Sequence, residues 1–562
     1  MTDNAQVAAE DSSLAEWDLR PWLLAGMLGL AGLLVHFASD EAGTIPWRMA
    51  LTAALVFGPL ASAFTLSPDR WKSSSLFAMG VALVMAGIAW RATSAGDRYA
   101  DEGFWVAAGI LSVTLSLPLF QAGFHSLRLG TSYKATHFHV WTDAITGAGA
   151  LAFVGLSWAL IGILSELFRA IQIDLLWDLL QKEWFGFAFS GATFGAALGV
   201  LRNQLKIIGT LQNVVLLVLS ILAVPLAVAL ILFLLAVLVS GLDVLWEATR
   251  SATPLLLAIA VGAFVLSNAV VRDDDETASR SRLLRIAGFV LALGILPLAI
   301  MAAISMGTRI GQHGLSPERL WALVAIAIAV AYGVAYFVSA LRGRREGWRG
   351  LLRQSNLHLA VLTCVVALIL ALPIFNFGAI SASNQVARLD SGAVSAEDFD
   401  YDALRWDFGD AGREALGELA ERDGKIGEEA QLAMAQTDQM SRYRGAIPMS
   451  DRLANIRVDT DDPEWEERIR DHFVGLSWHC NNPCYAIDLG FNEAGQRRIK
   501  LIEGAQVTDW NLDADDAQDS VPAFAQDGEA APTLRDDSTV EIREWTGRRI
   551  YVDGEPVGDP FP

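Results

Sequence analysis

The sequence predicts an all-α polytopic membrane bundle of about eleven transmembrane helices, followed by a C-terminal α+β soluble domain. Three observations carry that reading. Apolar runs of spanning length follow one another from about Trp22 to Phe375. Hydrophobic residues make up 53% of the chain and charged residues only 19%, against ~25% in ordinary soluble domains. The net charge of −21 is confined to the tail: residues 1–376 carry 24 basic and 24 acidic groups, and residues 377–562 carry 18 and 39.

The first 21 residues hold five acidic groups and one arginine, Arg20. That is the wrong flank for a cleavable signal peptide, so the first span reads as an uncleaved signal anchor behind a cytoplasmic tail, 1–21. A helix rises 1.5 Å per residue and needs about 20 apolar residues to cross a bilayer core. The transmembrane region, 22–376, supplies eleven such cores: 22–37, 49–65, 75–90, 104–120, 144–165, 184–201, 211–240, 254–271, 286–305, 320–340 and 356–376. Leu211 to Ser240 is the clearest, with no charge in 30 residues. Pro225 lies inside it, and the run is read as one long span rather than a hairpin.

Orientation follows from the basic residues at the span ends, which stay in the cytoplasm. With the N-terminus inside, the inner segments hold 16 Lys and Arg and the outer loops 8. The strongest determinants are Arg342, Arg344, Arg345, Arg349 and Arg353 between the tenth and eleventh spans. They place the acidic domain, 377–562, outside.

Glu166 to Trp184 sets Leu167, Ile171, Leu175 and Leu179 on one stripe. It reads as an amphipathic helix in the interface plane, or as a spacer packed on neighbouring spans. Ser316 and Pro317 suit the N-cap and first position of a helix. In the tail, the stretch Ala396 to Gly424 reads as helical, with Phe399, Leu404, Trp406 and Leu416 as its apolar positions. Tyr485–Leu489 and Arg498–Ile502 read as a hairpin, and a similar shape recurs near the C-terminus.

Candidate chemistry is sparse. The span cores contain no Asp, Glu, Lys or Arg, which weakens a proton-coupled transport reading. Ser190, Thr193, Ser267 and Asn268 could line a conduction path, but small polar residues of this kind more often pack helices together. His125, His137 and His139 could share a metal only if 137–139 were extended, and no cysteine joins them. No metal, cofactor or catalytic residue is assigned, and no G-x-S-x-G or P-loop is present. Cys480 and Cys484 are the two cysteines of the tail and are expected to form a structural disulfide in an oxidising compartment. Their spacing is not the C-x-x-C of thiol exchange proteins.

The run GLSPERLWALVAIAIAVAYGVAYFVSAL and the segment SNQVARLDSGAVSAEDFDYDALRWDFGDAGREAL, with the multi-span body, resemble a bacterial family of membrane proteins, the domain of unknown function 4153. The resemblance implies a Gram-negative inner membrane with a periplasmic tail. It assigns no catalytic residue. Some related tails carry an acidic loop suited to calcium, but in Asp488 to Gly495 the second and third acidic positions are out of register. The expected partners are membrane lipids and a periplasmic or membrane protein bound by the acidic domain. Nucleic acid is not expected of so acidic a chain. The expected function is a scaffold or sensor-like envelope component. The alternatives are a permease or export component for envelope material, and a membrane enzyme acting on lipid-linked substrates.

Overall fold

The computed structural model describes residues 17–39, 43, 45–241, 252–343, 347–372, 374–436, 453–475, 479–480, 482–492, 495–503, 506–512, 540–544, 548–552 and 555–561. Arg344 and Arg345 lie outside them. Two compact units result, one running to Ser391 and taking in Phe408–Ala411, the other formed by the rest of the tail.

The first unit is the helical body. Among the described residues, eleven helices are long and apolar enough to cross a membrane. In order they are Arg20–Ser39, Pro46–Thr65, Trp71–Ala95, Glu102–Gln121, Tyr133–Ala170, Glu183–Asn203, Leu205–Ser240, Ala252–Val271, Arg282–His313, Pro317–Arg342 and Trp348–Ala371. The seventh span runs unbroken through Pro225, as the charge pattern required. Ser316 accepts from the Arg319 amide and Pro317 opens the tenth span.

The ninth span is the centre of the larger core. Leu291, Ala292, Leu298 and Ala302 on it are fully buried against Ala263 of the eighth span and Tyr336 of the tenth. The outer surface is the reverse. Leu217, Ile221 and Leu232 of the seventh span are exposed, as a lipid-facing wall should be. On the sixth span Gly191, Gly195 and Gly199 repeat every four residues, so they stack on one face. A Cβ on Gly195 would sit 2.3 Å from Leu24 O, and one on Gly199 2.5 Å from the Pro21 Cα. Only glycine lets the first and sixth spans approach this closely.

The expected interface helix is not continuous. The fifth span runs on to Ala170, the chain turns at Gln172 with φ 62°, and a short helix, Leu175–Leu180, follows. Arg169 holds that turn. It pairs with Glu166 at 3.2 Å and Asp174 at 3.8 Å, and its guanidinium lies 4.1 Å from the Trp177 ring centre. Leu167, Ile171 and Leu175 remain exposed, so the apolar stripe survives although the helix is broken.

After the eleventh span, helix Phe377–Asp390 caps the ninth. Gln385 donates to His313 O and Leu315 O, and Arg388 to Gly311 O and Gln312 O. Gly311, Gln312 and His313 carry carbonyls that a helix C-terminus leaves unbonded, and Leu315 lies just beyond it.

The second unit mixes helices and strands. Helices Tyr401–Trp406, Gly412–Ala420 (the unit's part of Gly409–Ala420) and Lys425–Ala435 come first. Strand β1, Ile456–Asp459, and β2, Cys484–Phe491, are parallel, with helix Pro463–Gly475 between them. A parallel pair needs such a crossover. Strands β3, Arg497–Glu503, and β4, Gln506–Leu512, complete an antiparallel run. The predicted hairpin is therefore β2–β3, with Tyr485 opposite Ile502. Strands β5, Val540–Glu544, β6, Arg548–Val552, and β7, Glu555–Phe561, form a second sheet. Alternation along β2 and β3 sorts the core into two layers. Ala486, Ile499 and Leu501 pack with Ile469 and Phe473 of the helix, while Ile487 and Ile502 pack with Ile550 and Val552 of β6.

Candidate functional site

Span alternation brings distant residues together. The start of the first span, the end of the second, the start of the third, the end of the fourth, the start of the fifth and the end of the sixth all meet around one cavity. Its charged and polar walls include Arg20, Arg70, Gln121, His139, Asp143 and Arg202. The cavity holds about 30 Å³, room for roughly two water molecules.

The glycine face of the sixth span sets the geometry. It draws Pro21 onto Gly199, so Arg20 lands beside the end of the sixth span. Arg20 Nη1 donates to Arg202 O at 2.9 Å and to Asn203 Oδ1 at 2.8 Å. Asn203 Nδ2 returns a bond to Trp17 O at 2.9 Å. Arg202 Nη1 donates to Ala63 O at the end of the second span. Gln121 spans the gap: its Nε2 donates to Phe64 O at 2.7 Å and to Asp143 Oδ1 at 3.2 Å. The Arg20 charge opposes that of Arg202, and Asp143 offsets it.

Several buried polar atoms on this wall have no protein partner: Arg20 Nε, Ser67 Oγ, Gln121 Oε1, Thr142 Oγ1 and Asp143 Oδ2. Each such atom costs about 1–3 kcal/mol when left unbonded.

A second polar assembly lies in the eighth, tenth and eleventh spans, and it is closed. Asn268 Nδ2 donates to Tyr336 OH at 2.6 Å, Tyr336 OH to Asn356 Oδ1 at 2.7 Å, and Asn356 Nδ2 to Asn268 Oδ1 at 2.7 Å. Near it, Arg353 fastens the end of the eighth span. It donates to Val271 O and Arg272 O and meets Asp275 at 3.0 Å. Arg349 reaches the same carboxylate at 3.4 Å. Lys134 meets Asp274 at 2.8 Å. Burial of Asp101, in the connection before the fourth span, raises its pKa, partly offset by the hydrogen bond from Trp321 Nε1.

The other sequence candidates are accounted for by packing geometry. Ser190 accepts from Trp158 Nε1, while Thr193 and Ser267 bond back to carbonyls of their own helices. His137 and His139 lie in helix, not strand, and two residues on a helix point to different sides. His139 lines the cavity, and His137 is buried beside Tyr133 and Trp141. Cys480 and Cys484 sit at disulfide distance, with Cα atoms 5.2 Å apart. Asp488, the first acid of the loop compared with calcium sites, is held by Arg497 through bonds of 2.9 and 2.6 Å and by Thr460 at 2.7 Å. Glu493 and Ala494 lie outside the described residues. Arg342 is exposed at the end of the tenth span.

Sequence reasoning counted Arg20, Arg70 and Arg202 only as charges. It started the fifth core at 144, one residue after Asp143. The available signal was the T-D pair directly before an apolar run, with single basic residues at each neighbouring inner end.

Fold and site together define a multi-pass membrane protein with a distinct C-terminal domain. The chain belongs to the family described as Domain of unknown function (DUF4153), whose profile matches residues 25–419. No curated protein and no solved structure gives a match.

Proposed function

We propose that this chain is a scaffold or sensor-like component of the bacterial inner membrane, a rigid helical body that carries an interaction domain into the periplasm. One observation carries the reading. The amides of Asn268 and Asn356 and the hydroxyl of Tyr336 bond to one another in a closed ring. Groups that line a conduction path must exchange partners with a passing solute; these are spent on holding three spans in register.

In this reading the cavity end of the body is cytoplasmic. Support comes from the 16 basic residues counted there against 8 in the opposite loops. The C-terminal domain then meets an oxidising compartment, where Cys480 and Cys484 would be paired.

The test uses single cysteines at Ser267 and Ser305, both buried, in a Cys364→Ser background. A membrane-impermeant thiol reagent is applied to each face, and modified peptides are mapped by mass. A packed scaffold leaves positions 267 and 305 unmodified from both sides. It also leaves Cys480 and Cys484 unmodified until reductant is added. Modification of 267 and 305 would reveal a water-filled path and replace the scaffold with a permease.

A further inference from the structure

We propose that the cavity among the first six spans is a binding site for a phosphate group that retains a hydroxyl, either inorganic hydrogen phosphate or a phosphate monoester. This goes beyond the scaffold reading and does not rest on it.

The donors come first. Arg20, Ser67 and Thr142 are 1%, 4% and 4% exposed, and each places on the cavity wall a buried donor atom without a protein partner. Arg70 and Arg202 line the same cavity. With Asp143 as the one carboxylate there, the wall is net positive before His139 is counted. Converging donors under positive charge suit an oxoanion.

The acceptors narrow the choice. Gln121 is 8% exposed and commits its Nε2 to Phe64 O and Asp143 Oδ1, so the atom left over is its carbonyl Oε1. Asp143 Oδ2 is left over beside it. Two acceptors among cations would repel a fully deprotonated anion such as sulfate. They would accept a hydrogen bond from a P–OH group. Hydrogen phosphate carries one, and a phosphate monoester carries one as its monoanion, whose proton leaves with a pKa of about 6 in water.

The volume sets the third limit. Room for about two waters admits a small polar group rather than a sugar or an acyl chain. A monoester must therefore enter with its phosphate foremost, and the rest of the molecule stays outside.

The experiment uses the full chain in nanodiscs. Equilibrium binding of radiolabelled inorganic phosphate is measured with sulfate as competitor. It is repeated in discs containing phosphatidate, a monoester lipid, and in discs of phosphatidylcholine, a diester. Saturable phosphate binding is expected, with sulfate competing at least tenfold more weakly. Loss of competition from phosphatidate assigns the site to free phosphate; competition by phosphatidate alone assigns it to the lipid headgroup. Thr142→Val should weaken phosphate about tenfold, the equivalent of one hydrogen bond. Asp143→Asn turns an acceptor into a donor and should bring sulfate level with phosphate. Absence of saturable binding in both disc types, sulfate matching phosphate in the wild type, or affinity untouched by Thr142→Val would each overturn the proposal.

Discussion

The helical body contains two polar assemblies built on opposite principles. Asn268, Tyr336 and Asn356 bond to one another in a ring, with outward bonds from Asn268 Nδ2 to Phe264 O and from Asn356 Nδ2 to Tyr133 OH. Around Arg20, Gln121 and Asp143 the bonds run outward to backbone carbonyls and leave side-chain atoms over. Both sit between helices, and both are made of groups that are expensive to bury. The first offsets that cost internally and contributes to holding the fold. The second leaves the cost in place, as a site does when a ligand is to relieve it. Polarity inside a membrane body thus does not identify function by itself; the balance of donors and acceptors does.

The largest effect expected of this contrast follows from Asn356→Leu. It leaves the Tyr336 hydroxyl proton without its acceptor and Asn268 Oδ1 without its donor, which should cost about 2–6 kcal/mol at roughly 1–3 per buried group. Thermal unfolding in detergent should show a clearly lowered midpoint. An unchanged midpoint would mean the ring contributes nothing.

A smaller effect separates either assembly from an exposed pair beside them. The hydrogen bond from Lys134 is the main cause that holds the Asp274 carboxyl below the usual range, aided by Thr277 and opposed by slight burial. A depressed folded value means that stabilisation is present above the unfolded value of ~4 and fades as pH falls through the folded value. The pair is partly exposed, so about 0.2–1 kcal/mol is at stake. The loss of stability on acidification should shrink in Asp274→Asn relative to the wild type. Identical pH profiles would show that the pair is inert.

The smallest effect is the sharpest. Thr142→Val removes a cavity hydroxyl that has no partner, so without phosphate it should be neutral or slightly stabilising, within about 1 kcal/mol. A loss comparable to that of Asn356→Leu would show that the cavity, too, is a packing device.

The spans were legible because a bilayer imposes one demand, length without charge, and Leu211 to Ser240 states it openly. The segment at Asn384 to Arg388 was legible as a likeness. Its physical role, capping carbonyls of the ninth span, needed coordinates. Of the two readings open for Glu166 to Trp184, a continuous interface helix does not form, because the stripe at Leu167, Ile171 and Leu175 is continuous while the backbone turns at Gln172. Strand β1 was missed: four residues paired to a strand 28 positions away leave little local pattern. The cavity was invisible for a related reason. Arg20 and Arg202 meet only because two helices touch through Gly195 and Gly199, and no local pattern encodes a contact across 182 residues.

The most direct test of the division is thermal unfolding of the full chain in nanodiscs, with and without saturating phosphate, for the wild type, Asn356→Leu and Arg70→Gln. Phosphate should raise the wild-type midpoint. It should raise that of Asn356→Leu by the same increment from a lower start, since the ring holds structure and not ligand. It should leave Arg70→Gln unmoved. A phosphate increment that survives Arg70→Gln and vanishes in Asn356→Leu would contradict the account, because it would place the ligand at the closed ring and the structural role at the cavity.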